Sequence, residues 1–98
     1  MKAEEYLSLN RKVIREECQA IISSGSKAII TVKNNDDACI HRVSTVEEFT
    51  TRLPKDKFFK QIRDGVTNAV KHRVVPIVIF ESQKVRLISL ADDFPQKI

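Results

Sequence analysis

Cys39 and His41 stand two apart in ACIHRV (residues 38–43). On an extended strand that spacing puts both side chains on one face. A thiolate beside an imidazole is half of a tetrahedral zinc site. Cys18 and His72 are isolated and no second pair has ligand spacing, so neither a metal nor any other cofactor is expected. The plainer reading is a core thiol next to a half-exposed imidazole. A cysteine nucleophile needs a base that activates it and a third group that orients the base, a relay that Asp37, Cys39 and His41 cannot build from one hairpin. With Gly25 and Gly65 as the only glycines, no phosphate loop, dinucleotide turn or nucleophile elbow can be assembled. The chain is expected not to be an enzyme.

Charge position carries more information. Residues 1–51 hold seven Lys/Arg against eight Asp/Glu, residues 52–86 nine against three, and residues 87–98 one against two. The excess therefore sits in one third of the chain. Arg52, Lys57, Lys60, Arg63, Lys71, Arg73, Lys84 and Arg86 are the candidate residues for contacting nucleic-acid phosphates, provided that folding gathers them on one wall. Binding of this kind is indifferent to base sequence and weakens steeply with salt. The competing explanation is a solvated helix face, with Asp56–Lys60 and Lys60–Asp64 pairing at i,i+4 and Lys71-His72-Arg73 complementing the negative end of the helix dipole. Phe58 and Phe59 fall on the apolar stripe, which argues against a base-stacking platform.

The elements that must position these residues follow from periodicity. Ala3, Leu7, Val13, Ile14, Cys18, Ile21 and Ile22 recur at helical spacing and predict one amphipathic helix over residues 2–24, stopped by Ser23-Ser24-Gly25-Ser26. AIITVK and ACIHRV, separated by Asn34-Asn35-Asp36-Asp37, predict a hairpin over 28–43. Ile29 faces away from Ala28, Ile30 and Val32, so that sheet needs cover on both sides. Ser44/Glu47 and Thr45/Glu48 are overlapping capping boxes that start a helix over 46–52. Pro54 bends the chain before a helix over 55–73, whose Gly65 implies either a close neighbour or a bend. VVPIVIF and VRLISL predict a second hairpin over 74–90, with Pro76 at an edge or at the very start of its strand. Residues 91–98 read as a tail. The expected class is α+β: a single domain of order α-β-β-α(α)-β-β, with a four-stranded, mostly antiparallel sheet packed against helices.

Length and composition are compatible with this. Ninety-eight residues, 42% apolar and 31% charged, form one ordinary globular domain and exclude disordered, collagen-like and low-complexity classes. No run approaches the roughly 18 apolar residues of a membrane span, and acidic Glu4 and Glu5 interrupt any N-terminal signal core. With two widely spaced cysteines, reduced and mostly buried thiols and a cytoplasmic location are expected, with no membrane partner.

In element order the chain is similar to the core of small restriction-endonuclease-like resolvases, which use an acid on one strand and Glu-x-Lys on the next to hold a divalent ion. Here Cys39-Ile40-His41-Arg42 follows the acidic turn, and Glu81-Ser82-Gln83-Lys84 has one residue too many. The order is also similar to roadblock-type dimerisation domains, without that family's final strand and helix. The favoured expectation is a small non-enzymatic nucleic-acid-binding protein. The alternative is a protein-interaction module: a homodimer through an open sheet edge after Pro76, an adaptor, or a small inhibitor.

Overall fold

Two segments are apolar at odd and even positions alike, and such segments are satisfied only in the interior of a sheet covered on both faces. Along the chain the elements run α1 (Ala3–Leu9), α2 (Arg11–Ser23), β1 (Lys27–Lys33), β2 (Asp37–Val43), α3 (Glu47–Thr50), α4 (Lys57–Lys71), β3 (Val75–Phe80), β4 (Val85–Leu90) and β5 (Gln96–Lys97). The computed structural model describes residues 2–34, 36–90 and the backbone of 96–97. β1 and β3 are the doubly apolar segments, and they lie side by side in parallel, Ile30 opposite Ile77 and Val32 opposite Ile79. Ile29, Ile30, Ile77, Val78 and Ile79 are each 0% exposed. Complete burial of a side chain of this size is worth about 1.5–3 kcal/mol. These five residues anchor the core.

The remaining strands pair antiparallel, β2 with β1, β4 with β3 and β5 with β4, giving the order β2-β1-β3-β4-β5. The α+β class stands, and the sheet is mixed because its central pair is parallel. Helices cover both faces. Ala3, Leu7, Ile14 and Cys18 of α1 and α2 pack on Ala28, Ile30, Val32, Ile77, Ile79 and Ile88. Phe49, Leu53, Ile62 and Val66 of the α3–α4 layer pack on Ile29, Val43 and Val78.

Several expectations need correction. The helix over 2–24 is two helices, divided at Asn10, which has φ −108° and ψ 14°. The Asn10 side-chain amide donates to the Tyr6 carbonyl at 2.9 Å, as short polar side chains do when they compete with the helical ladder. The buried seam is also narrower than the stripe, leaving Val13 57% and Ile22 44% exposed. Phe58 is not core either, at 53% exposed and edge-on to Phe59. Cys18 is buried but Cys39 is exposed. The short helix shrinks to α3, where Glu48 Oε1 accepts from the Ser44 and Thr45 N–H groups at 3.1 and 3.2 Å. The long helix starts two residues late because Asp56 is its cap, accepting from Phe59 N–H at 3.0 Å.

Pro76 opens β3 before the pairing with β1 begins at Ile77, so its missing N–H costs that ladder nothing. β3 is an inner strand between β1 and β4, so among the described residues Pro76 does not mark an open edge. Of the expected tail, residues 91–95 and 98 lie outside the described residues, while the backbone of 96–97 pairs with Ile88 and Ser89.

Gly65 answers to a close neighbour: a Cβ there would sit 2.3 Å from Leu87 Cδ2 of β4. A side chain as large as leucine has no room between α4 and the sheet. Gly65→Leu is expected to destabilise the fold by about 1–3 kcal/mol, the usual cost of overpacking. Chemical denaturation of the two proteins measures it.

Candidate functional site

β1 and β3 point the same way, so their ends define two rims of the sheet, and the chain populates those rims with different charges. At the C-terminal rim a cleft of about 630 Å³ is lined by Lys2, Glu4, Asn34, Phe80, Glu81, Ser82, Lys84 and Arg86. Arg86 pairs with Ile79 across the β3–β4 ladder and so projects from the α1–α2 face. Its guanidinium donates from Nη1 and Nη2 to both oxygens of Glu4 at 3.1 and 2.5 Å, and from Nε to Glu81 at 2.8 Å. Lys84 stands 3.6 Å from the other Glu81 oxygen. The hydrogen bonds from Arg86 hold the Glu4 carboxyl below its ordinary range, and Glu4 and Glu81 in turn raise the guanidinium further. This rim is a clamp that ties the first helix to β4 on the face that helix covers. Lys84 and Arg86 are already paired with the rim's own carboxylates.

At the N-terminal rim a second cleft, about 600 Å³, lies between the end of α2, the start of β1 and the α4–β3 turn. Its cationic lining is Lys27, Lys71 and Arg73, and its lining contains no carboxylate. The turn 24–26 forms one wall. Gly25 there has φ +91°, a conformation that side chains resist. Arg42 braces that wall, donating to the Ser24 and Ser26 hydroxyls at 2.9 and 3.2 Å. Lys27 Nζ donates to the Ser44 carbonyl at 3.3 Å.

Arg73 has φ +62°. It occupies the left-handed position after α4, with Val74 N–H bonded to the Ala69 carbonyl at 2.8 Å and Arg73 N–H to that of Val70 at 3.1 Å. This double bond pattern is a helix stop that favours glycine. An arginine held there costs about 1–2 kcal/mol of backbone strain.

The eight cations singled out from sequence are therefore divided. Lys84 and Arg86 belong to the clamp. Arg63 donates to the Pro54 carbonyl and braces the proline bend. Arg52, Lys57, Lys60, Lys71 and Arg73 are exposed and have no ion-pair partner among the described residues. Neither expected pair of Lys60 forms there, and Asp56 caps α4 instead. Helical spacing puts Lys57, Lys60 and Lys71 on one outer ridge of α4, along with Asp64. Sequence reasoning missed Lys27 and Arg42, which sit in the half of the chain without excess charge. Only the parallel pairing of β1 and β3 brings Lys27 to Lys71 and Arg73.

Cys39 and His41 do share the α3–α4 face. His41 Nε2 lies 2.8 Å from Thr31 Oγ1, and its ring packs at 5.5 Å on Phe49. Burial, then the charges of Arg52 and Lys33, push the imidazole below its ordinary pKa. No three metal-ligating side chains gather among the described residues, and no described helix is long and apolar enough to cross a membrane. No family model, curated protein or solved structure matches the chain.

The two rims give separate stability predictions. Arg86→Ala is expected to lower stability near neutral pH by about 1 kcal/mol, the upper end for partly exposed ion pairs. Glu4 titrates in the folded protein below its ordinary 4.5, so its contribution is present above that value and is lost as pH falls through the folded one. The gap between Arg86→Ala and parent should accordingly close on acidification, as followed by thermal melts across the acid range. Arg73→Gly should instead raise stability by about 0.5–1 kcal/mol net, since relief of strain exceeds the added freedom of the unfolded chain.

Proposed function

We propose that this is a small non-enzymatic protein that binds the phosphate backbone of nucleic acids. The N-terminal-rim cleft is the anchor and the α4 ridge is the track. The observation that carries the reading is the cleft itself, where Lys27, Lys71 and Arg73 converge with no carboxylate in the lining. Like charges brought together without counter-charges raise each other's energy, and a polyanion relieves that cost. Arg73 adds to this, because a strained backbone kept where glycine would be easier points to a use for the side chain.

From the cleft, and past Asp64 on the same ridge, Lys60 and Lys57 carry positive charge toward the other end of α4, and Arg52 follows α3. At about 1.5 Å per residue the distance from Lys57 to Lys71 is about 21 Å, enough to follow several phosphates of one strand. Arg63, Lys84 and Arg86 contribute structure in this reading and not contacts. Phe58, half exposed next to Lys57, offers a ring to an unpaired base.

Fluorescence anisotropy with short single- and double-stranded oligonucleotides at a series of salt concentrations tests the proposal. About four phosphate contacts give a log–log salt slope near −3 for a single strand and near −3.6 for a duplex. Lys27→Glu and Lys71→Glu should each weaken binding several-fold and flatten the slope. Arg73→Gly should weaken binding while the protein becomes more stable, which separates loss of a contact from loss of the fold. Absence of binding at the lowest salt, or binding that ignores charge reversal in the cleft, removes the proposal. Competition by inorganic phosphate at equal charge concentration would indicate a small-anion site instead.

A further inference from the structure

We infer that β2 is a self-association edge, and that a second copy of this chain adds to it antiparallel about a two-fold axis at Cys39 to make one continuous sheet. The two edges of the sheet are treated differently. Beyond β4 the two residues of β5 pair with Ile88 and Ser89 and cover part of that edge, whereas β2 ends the sheet on the other side with nothing beyond it along its seven residues among the described residues. Soluble domains usually defend such an edge with proline, lysine or a bulge. β2 has none of these: its sequence is DACIHRV, and it pairs with β1 through seven consecutive residues, Lys27 opposite Val43 to Lys33 opposite Asp37, without a bulge. Arg42, the one cation on it, is drawn back onto the Ser24 and Ser26 hydroxyls.

The occupant follows from the strand's own polarity. Its turn end carries Asp36 and Asp37, and its other end carries His41 and Arg42. Antiparallel pairing of two copies sets the acidic end of each beside the end of the other that carries the His41 imidazole and Arg42. A two-fold perpendicular to the sheet requires residues of like face to pair, which leaves few registers. With the axis at Cys39, Ala38 meets Ile40 of the other copy and Asp37 meets His41, while Asp36 comes opposite Arg42, whose guanidinium has to leave the Ser24 and Ser26 hydroxyls to pair with it; each contact occurs twice. Shifting the axis to Ile40 sets Ala38 against Arg42 and Asp37 against Val43, apolar against charged in both. The Thr31 hydroxyl can donate to His41 Nε2, which leaves the proton on Nδ1 for the facing carboxylate. The interface is one strand wide, well below the roughly 1,200–2,000 Å² of a stable complex, so the dimer should dissociate on dilution.

Such an axis keeps the faces of the sheet in place, so both α4 ridges come to lie on one side of the assembly. Use of the paired ridges as one binding face rests on the phosphate-binding reading; the pairing does not. Sedimentation velocity of the full chain, without nucleic acid, is expected to show monomer giving way to dimer as concentration rises. Paired Cβ atoms lie about 4.5–5.5 Å apart, so a short bismaleimide should link two chains through Cys39 and fail on Cys39→Ser. Cys18 is buried, with its thiol pushed up to about 11, and does not compete. Ala38→Glu and Ile40→Lys should each be monomeric while keeping the parent's far-UV circular dichroism. Mixed together, they should form a heterodimer, because the proposed register sets Glu against Lys at one contact and leaves the other unchanged. A parent that stays monomeric at every concentration, a dimer that survives both variants, or a mixture that fails to associate overturns the inference. Failure of oligonucleotide binding alone leaves it intact.

Discussion

The fold depends on one constraint: two neighbouring strands have apolar side chains on both faces. Ile29 and Ile30 are consecutive and both fully buried, as are Ile77, Val78 and Ile79. No arrangement with helices on a single face can bury such a run. The helical segments must therefore divide, α1 and α2 to one side and α3 and α4 to the other. The second pair of helices then serves as part of the link that returns the chain to a strand parallel with β1, and the two hairpins end up flanking a parallel seam.

A parallel seam gives the sheet two unlike rims, and this separates the charges. The C-terminal rim gathers Glu4, Glu81, Lys84 and Arg86 into mutual neutralisation. The N-terminal rim gathers Lys27, Lys71 and Arg73 with no such relief. The ion pairs of the first rim are partly exposed and stabilise modestly; their main effect is to fix where α1 docks. In the second rim the tight helix stop at Arg73 turns the chain at once into β3, and this brings the end of α4 next to the start of β1.

His41 shows how the same topology sets side-chain chemistry. Its neighbours are Thr31 across the strand pair and Phe49 from the helix above, with Arg52 and Lys33 close enough to disfavour a second positive charge. The imidazole, its pKa held below the ordinary value, is thus a hydrogen-bonding group at the margin of the sheet.

Most of the elements were legible in the sequence because each depends on neighbours a few residues away: the capping acid Glu48, the stop at Gly25, the β-branched runs, and the glycine that admits Leu87; the cap at Asp56 was not read. The cover needed on both sides of Ile29 was legible for the same reason. What pairs with what was not. The hairpins read as an antiparallel sheet, since local patterning favours the strand next in sequence, although the uninterrupted apolar run of β3 already had the character of an interior parallel strand. The division of the cations was likewise beyond the sequence. Arg86 finds Glu4 across 82 positions, and Lys27 reaches Lys71 and Arg73 only through the β1–β3 seam. Composition along the chain fixes how much charge there is, but whether it is neutralised or left free is decided by which strand ends share a rim.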